Sequence, residues 1–267
     1  MAKKWGAING IGAWCVALTL VVFFLVSAQA QGQQISERHA LIIGNASYER
    51  ARDLSNPVHD ARDVAARLAA LGYSIHGGSA HINLGRDDLL AVMRDFSAGV
   101  PDGATALVLF AGHGLSDGGD TFLIPTDDGA LLTRPDLADH AVALRELSGR
   151  LAARQGVASI ILVDACSANG LRGQGMGAGG AGDLVASRSG SLNLIYAAAP
   201  GQIAGDGDGR NSPFTAALLS VLDDPARRVD SLFYELSALV REQTEGHQVP
   251  WMAQTLTTDL PPFLVAP

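Results

Sequence analysis

The chain has 267 residues, 48% of them hydrophobic and 17% charged, with a formal net charge of −8. That mixture excludes a disordered protein, and a single apolar segment near the N-terminus excludes a membrane protein with several spans. Lys3 and Lys4 are the only lysines, so the residues after 30 carry 17 arginines against 27 acidic residues, net −10. This balance speaks against a nucleic-acid partner, because phosphate contacts need a basic face.

Residues 1–30 predict a secretory signal peptide: Lys3 and Lys4 form a positive start, Ala13 to Val26 is apolar apart from Thr19, and Ala28-Gln29-Ala30 is a small-x-small cleavage site. The apolar run is shorter than the ~20 residues that cross a bilayer. The expectation is export to the periplasm or beyond with no stable membrane span after cleavage; an uncleaved N-terminal anchor is the alternative. Residues 31–267 are then long enough for one large domain. Cleavage removes Cys15 and leaves Cys166 as a lone thiol in an oxidising compartment, either buried and inert or kept for chemistry.

Residues 39–45 are a short apolar run ending in Gly-Asn, the pattern of a buried strand. Pro57 opens a helix whose Val58, Ala61, Val64, Ala65, Leu68 and Leu71 recur at helical spacing until Gly72 stops it. Tyr73 to Gly77 reads as a second strand and residues 85–98 as a second helix. Ala104 to Phe110, Val157 to Val163 and Leu192 to Ala198 read as strands buried on both faces. Helices are predicted over Leu144 to Arg154, from Pro213 to about Leu222, and over Ser231 to Glu242. Strands alternating with helices predict an α/β fold with a mainly parallel sheet covered by helices on both faces. Ligands in such folds sit at the C-terminal ends of strands, where Ala111-Gly112-His113-Gly114 and Asp164-Ala165-Cys166 stand. Residues 170–182 hold seven glycines in thirteen positions, part of a flexible loop expected over 170–191.

A cysteine nucleophile needs a base to make its thiolate and donors to hold an oxyanion. His113 and Cys166 end two different predicted strands and can meet above one sheet edge, and Gly112 and Gly114 beside His113 leave backbone N–H groups open to a substrate carbonyl. The plainer alternative is a loop histidine beside a small core residue.

The His-Gly after one strand, the Asp-x-Cys after the next and the stretch Leu194 to Leu218 together resemble the caspase-like cysteine peptidases, in particular bacterial metacaspase relatives, over about residues 38–260. The resemblance implies a three-layer caspase-hemoglobinase-like fold and a Cys166/His113 dyad. It lacks the Gln-Ala-Cys signature of caspases; Asp164 stands where they place the glutamine, as in metacaspases. The segment Asn56 to Ala61 matches the metacaspase S1 segment and nominates Asp60, and alignment at Ala199-Pro200-Gly201 puts Asp206 where caspases hold an arginine for an acidic P1. Asp60, Asp164 and Asp206 therefore imply protein or peptide substrates with a basic P1, arginine above all, since a planar guanidinium can bond two carboxylates at once. Without the resemblance, Asp60 reads as a helix N-terminal carboxylate and Asp164 as a strand-end residue bonding loop amides. Ala111 replaces a serine found in some metacaspases, which leaves the choice between Arg and Lys open. Family logic also nominates Arg172 and Arg188 as self-cleavage sites. No cofactor is expected; some metacaspases use calcium, and no residue set here is assigned to it.

Other patterns are set aside. Gly114 to Gly118 matches a G-x-S-x-G elbow, but a turn and a short strand follow rather than a helix, against a serine hydrolase using Ser116. Gly175 to Gly180 satisfies G-x-G-x-x-G without the flanking strand and helix that nucleotide binding needs. The second functional reading is a caspase-fold binding module that does not cut.

Overall fold

The four long apolar runs are the centre of the sheet, because strands of continuous Leu, Ile and Val bury both faces. The computed structural model describes residues 37–117, 119–129, 134–167, 190–199, 204–223 and 229–255, all within one unit, Ser36–Pro267. The expected signal peptide, Arg172, Arg188 and most of the glycine-rich loop lie outside the described residues.

In chain order the strands are β1 (Arg38–Gly44), β2 (Ser74–Ile75), β3 (His81–Ile82), β4 (Thr105–Asp117), β5 (Asp120–Leu123), β6 (Val142–Ala143), β7 (Ala158–Ser167), β8 (Ser191–Tyr196) and β9 (Trp251–Thr255). The helices are α1 (Pro57–Ala70), α2 (Arg86–Gly99), α3 (Arg134–His140), α4 (Leu144–Ala152), α5 (Pro213–Val221) and α6 (Val229–Gln243). The strand order is β2-β1-β4-β7-β8-β9, parallel except for β9, with β3 also on β1, β5 antiparallel on the end of β4, and β6 antiparallel on β5. This is the three-layer α/β arrangement expected from the sequence.

Period-two alternation divides the core between the two faces. Ile42, Leu109, Ile160 and Leu162 pack under α1, α5 and α6 through Val64, Leu68, Phe214, Leu218 and Leu236. Ile43, Val108, Phe110, Ile161 and Val163 pack on the other face against Leu89, Met93 and Phe96 of α2 and Leu144, Leu147 and Leu151 of α4. Gly44 lets α1 come close: a Cβ there would stand 2.3 Å from the Pro57 carbonyl oxygen. That approach seats the first turn of α1, with Asp60, over the end of β1.

Two local differences from the sequence reading stand out. Ala111-Gly112-His113-Gly114 does not follow a strand ending at Phe110: β4 continues to Asp117, because Gly114–Asp117 pairs antiparallel with Asp120–Leu123. Tyr73 to Gly77 supplies only the two-residue β2, because Gly77 adopts φ 71° and the chain turns through a short 3-10 segment.

Candidate active site

His113 and Cys166 are register partners across the parallel β4–β7 pair, as are Ala111 and Asp164. Adjacent strands lie about 4.8 Å apart, and register partners share a face. Asp164 and Cys166, two apart on β7, also share one. All three positions therefore belong to the face covered by α1 and α5.

His113 is 5% exposed, and its imidazole is held by Arg52 and Tyr48. Its Nε2 lies 2.7 Å from the Arg52 carbonyl oxygen; a carbonyl only accepts, so Nε2 is the donor, and in the neutral ring the lone pair falls to Nδ1. Nδ1 is buried with no hydrogen-bond partner. The Tyr48 ring lies tilted against the imidazole at 4.6 Å between centroids, and the Tyr48 hydroxyl accepts the His113 amide at 2.8 Å while donating to the Asn45 carbonyl at 3.1 Å. Gly112 leaves the space for that hydroxyl, which a Cβ would meet at 2.7 Å. Gly114 has a packing reason of its own, since a Cβ there would stand 2.7 Å from that of Ala165.

A carboxylate cluster lies on the same face. Asp60 is 1% exposed and accepts the Ser212 amide at 3.1 Å; Asp164 is 4% exposed and accepts the hydroxyls of Ser212 at 2.5 Å and Thr215 at 3.0 Å. Ser212 joins the two, and its hydroxyl also caps α5 by accepting the Thr215 amide at 2.9 Å. Burial first, then the neighbouring charge of Asp164, pushes the Asp60 carboxyl up to about 8. Burial pushes Asp164 up to about 6, against the lowering effect of its two hydroxyl donors. Among the described residues neither forms an ion pair. Two buried acids with no cation are an incomplete arrangement, and a bound cation would complete it.

Asp206 stands beside them and raises both. Its carboxylate accepts the amides of Ser55 at 2.6 Å and Asn56 at 3.2 Å, so it also fastens the entry to α1. Tyr48, Ser212 and Thr215 were not singled out from the sequence. Ser212 carried a signal, a serine just before the Pro213 that opens a helix; Tyr48 sits in a turn-rich stretch and carried none. The G-x-S-x-G match falls on the β4–β5 hairpin. Among the described residues no cluster of three or more metal-ligating side chains occurs, and no helix is long and apolar enough to cross a membrane.

A parallel strand pair thus sets a histidine opposite a cysteine, beside buried carboxylates. The chain belongs to the caspase domain family, peptidase C14, whose family model matches residues 37–261. A search of curated proteins finds no match. Among solved structures the fold is similar to the crystal structure of protein GSU0716 from Geobacter sulfurreducens, with a TM-score of 0.62 and 17% identity over 86% of this chain and 100% of that one. At that identity the likeness concerns the fold alone.

Proposed function

We propose that the protein is an exported cysteine endopeptidase that cleaves after arginine or lysine through Cys166 and His113. The observation that carries the specificity is the buried pair Asp60 and Asp164, without a counter-cation among the described residues, on the face that His113 and Cys166 share. Membership of a peptidase family supports polypeptide substrates.

In the reaction, Nδ1 of His113 takes the Cys166 thiol proton and the sulfur attacks the scissile carbonyl carbon. The amides of Gly114 and Cys166 hold the oxyanion. Collapse breaks the C–N bond, and His113 returns its proton to the leaving amine. Water, deprotonated by His113, then hydrolyses the thioester and restores the thiol. The Arg52 carbonyl keeps the imidazole in the tautomer this sequence needs. Asp60 and Asp164 hold the P1 guanidinium or ammonium, and Asp206 adds to their negative field. Asp164 stands two residues before the nucleophile, so its charge opposes thiolate formation until a cationic P1 neutralises it.

The test sets purified wild type beside Cys166→Ala on fluorogenic peptides that differ only at P1 as Arg, Lys or Asp, with calcium or with a chelator. Cleavage of the Arg and Lys peptides by wild type alone is expected. Cleavage of the Asp peptide would overturn the pocket assignment, and no cleavage under any condition would favour a binding module. Mass spectrometry of the same samples reads any cut after Arg172 or Arg188. A mature N-terminus at Gln31 is expected after export.

A further inference from the structure

A cleft of about 510 Å³ opens between α2 and α4, on the side of the sheet away from His113 and Cys166. Leu90, Phe122 and Leu137 contribute apolar surface to it, while Arg86 and Arg94 come from α2 and Arg145 and Arg150 from α4. Four of the 17 arginines of an acidic body thus converge on one cleft, in which Glu146 is the single acid among the described lining residues.

Their charges are poorly compensated. Arg145 has a short bridge to Asp120 at 2.6 Å. Arg150 reaches Glu146 only at 3.8 Å and Arg86 reaches Asp87 only at 3.9 Å, both at the outer limit of an ion pair. The Nε of Arg86 is buried without a hydrogen-bond partner, and Arg94 makes no ion pair among the described residues. Guanidinium groups that line an apolar floor offer planar forks that carboxylates meet through bidentate bonds.

We propose that this cleft docks an acidic segment of a polypeptide, its carboxylates on the arginine forks and its apolar side chains on the floor. The apolar floor of Leu90, Phe122 and Leu137 matches the side chains of a polypeptide and not the sugar-phosphate backbone of a nucleic acid. The apolar floor favours a peptide over a bare anion. Because the cleft and the dyad lie on opposite sides of the sheet, both can be occupied at once. The family's polypeptide substrates help to name the occupant, but binding does not depend on the Cys166–His113 chemistry.

The test is fluorescence anisotropy of the purified full chain with a labelled octapeptide alternating glutamate and leucine, beside its glutamine counterpart. Saturable binding of the glutamate peptide is expected, weakened at least about tenfold by the glutamine replacement and by the double substitution Arg94→Ala, Arg150→Ala, and reduced by added salt. Both arginines project from helix surfaces, and a wild-type melting temperature verifies that the double variant folds. Equal binding of the two peptides, or unchanged affinity in a folded double variant, would overturn the proposal. So would full displacement by inorganic phosphate at millimolar concentration, which would make the cleft a small-anion site. Cys166→Ala should bind the peptide like wild type, so failure of the peptidase reading and failure of this one are told apart.

Discussion

The hydroxyl of Tyr48 accepts the backbone amide of His113 at 2.8 Å while its ring lies against the imidazole at 4.6 Å. One side chain thus fixes both the main chain and the ring of the residue proposed as the base. Tyr48→Phe keeps the ring and removes the hydroxyl, leaving a buried amide unsatisfied at about 1–3 kcal/mol. The expected outcome is a fall in kcat of roughly tenfold with KM little changed, and a shifted pH–rate profile. A purely structural role would lower the melting temperature and leave that profile in place.

The raised carboxyls of Asp60 and Asp164 tie stability to pH. A folded-state value above the unfolded one contributes stability that is fully present below about pH 4 and lost as pH rises through the folded values, here about 6 and about 8. The free protein should therefore lose this contribution between about pH 4 and about pH 8. Asp60→Asn should melt higher than wild type at pH 9 and show a flatter pH dependence; calorimetry on both proteins checks this.

The same groups predict the opposite slope for ligand binding. A guanidinium favours the ionised carboxylates, so binding releases protons and strengthens as pH rises from 5 to 9. Isothermal titration of agmatine into Cys166→Ala should show this rise, with Asp164→Asn removing most of the affinity. A flat profile would mean that the cation does not reach these acids. With active enzyme, Asp164→Asn should lower kcat/KM for arginine peptides.

Gly112→Ala would place a Cβ 2.7 Å from the Tyr48 hydroxyl, and Gly44→Ala would place one 2.3 Å from the Pro57 carbonyl oxygen. Each should destabilise by about 1–3 kcal/mol or more. They should differ in function: near its melting limit Gly44→Ala disturbs the seat of Asp60 and raises KM for arginine peptides, whereas Gly112→Ala disturbs His113 and lowers kcat. Denaturation and steady-state kinetics on both variants separate the two effects.

The central strands were legible because continuous apolar runs have few other uses in a chain of this composition. β2, β3 and β6 were not, since two residues carry no period. The continuation of β4 was hidden because Ala-Gly-His-Gly has the composition of a turn, and its parallel pairing with β7, followed by the antiparallel pairing with β5 from Gly114 on, keeps it extended. α3 and β9 fall in stretches without a clear apolar repeat. In the site, His113 and Cys166 were legible from their places after apolar runs, whereas Asp60 and Asp164 came from family likeness. The Arg52 carbonyl that sets the histidine tautomer had no signal, since every residue has a carbonyl and only the fold decides which one meets the ring.

The carboxylate cluster is assembled from both ends of the chain. Asp60 and Asp164 precede residues 168–189, whereas Ser212, Thr215 and Asp206, which grip them or the entry to α1, follow that segment. Severing the backbone there would yield two polypeptides, neither holding a complete pocket. They would stay together through the β7–β8 ladder, the paired bonds from Arg210 to Asp63 and the clasp of Asp206 on Ser55 and Asn56. A nicked molecule would thus behave as a heterodimer whose proposed pocket for a basic side chain exists only at the seam between its halves.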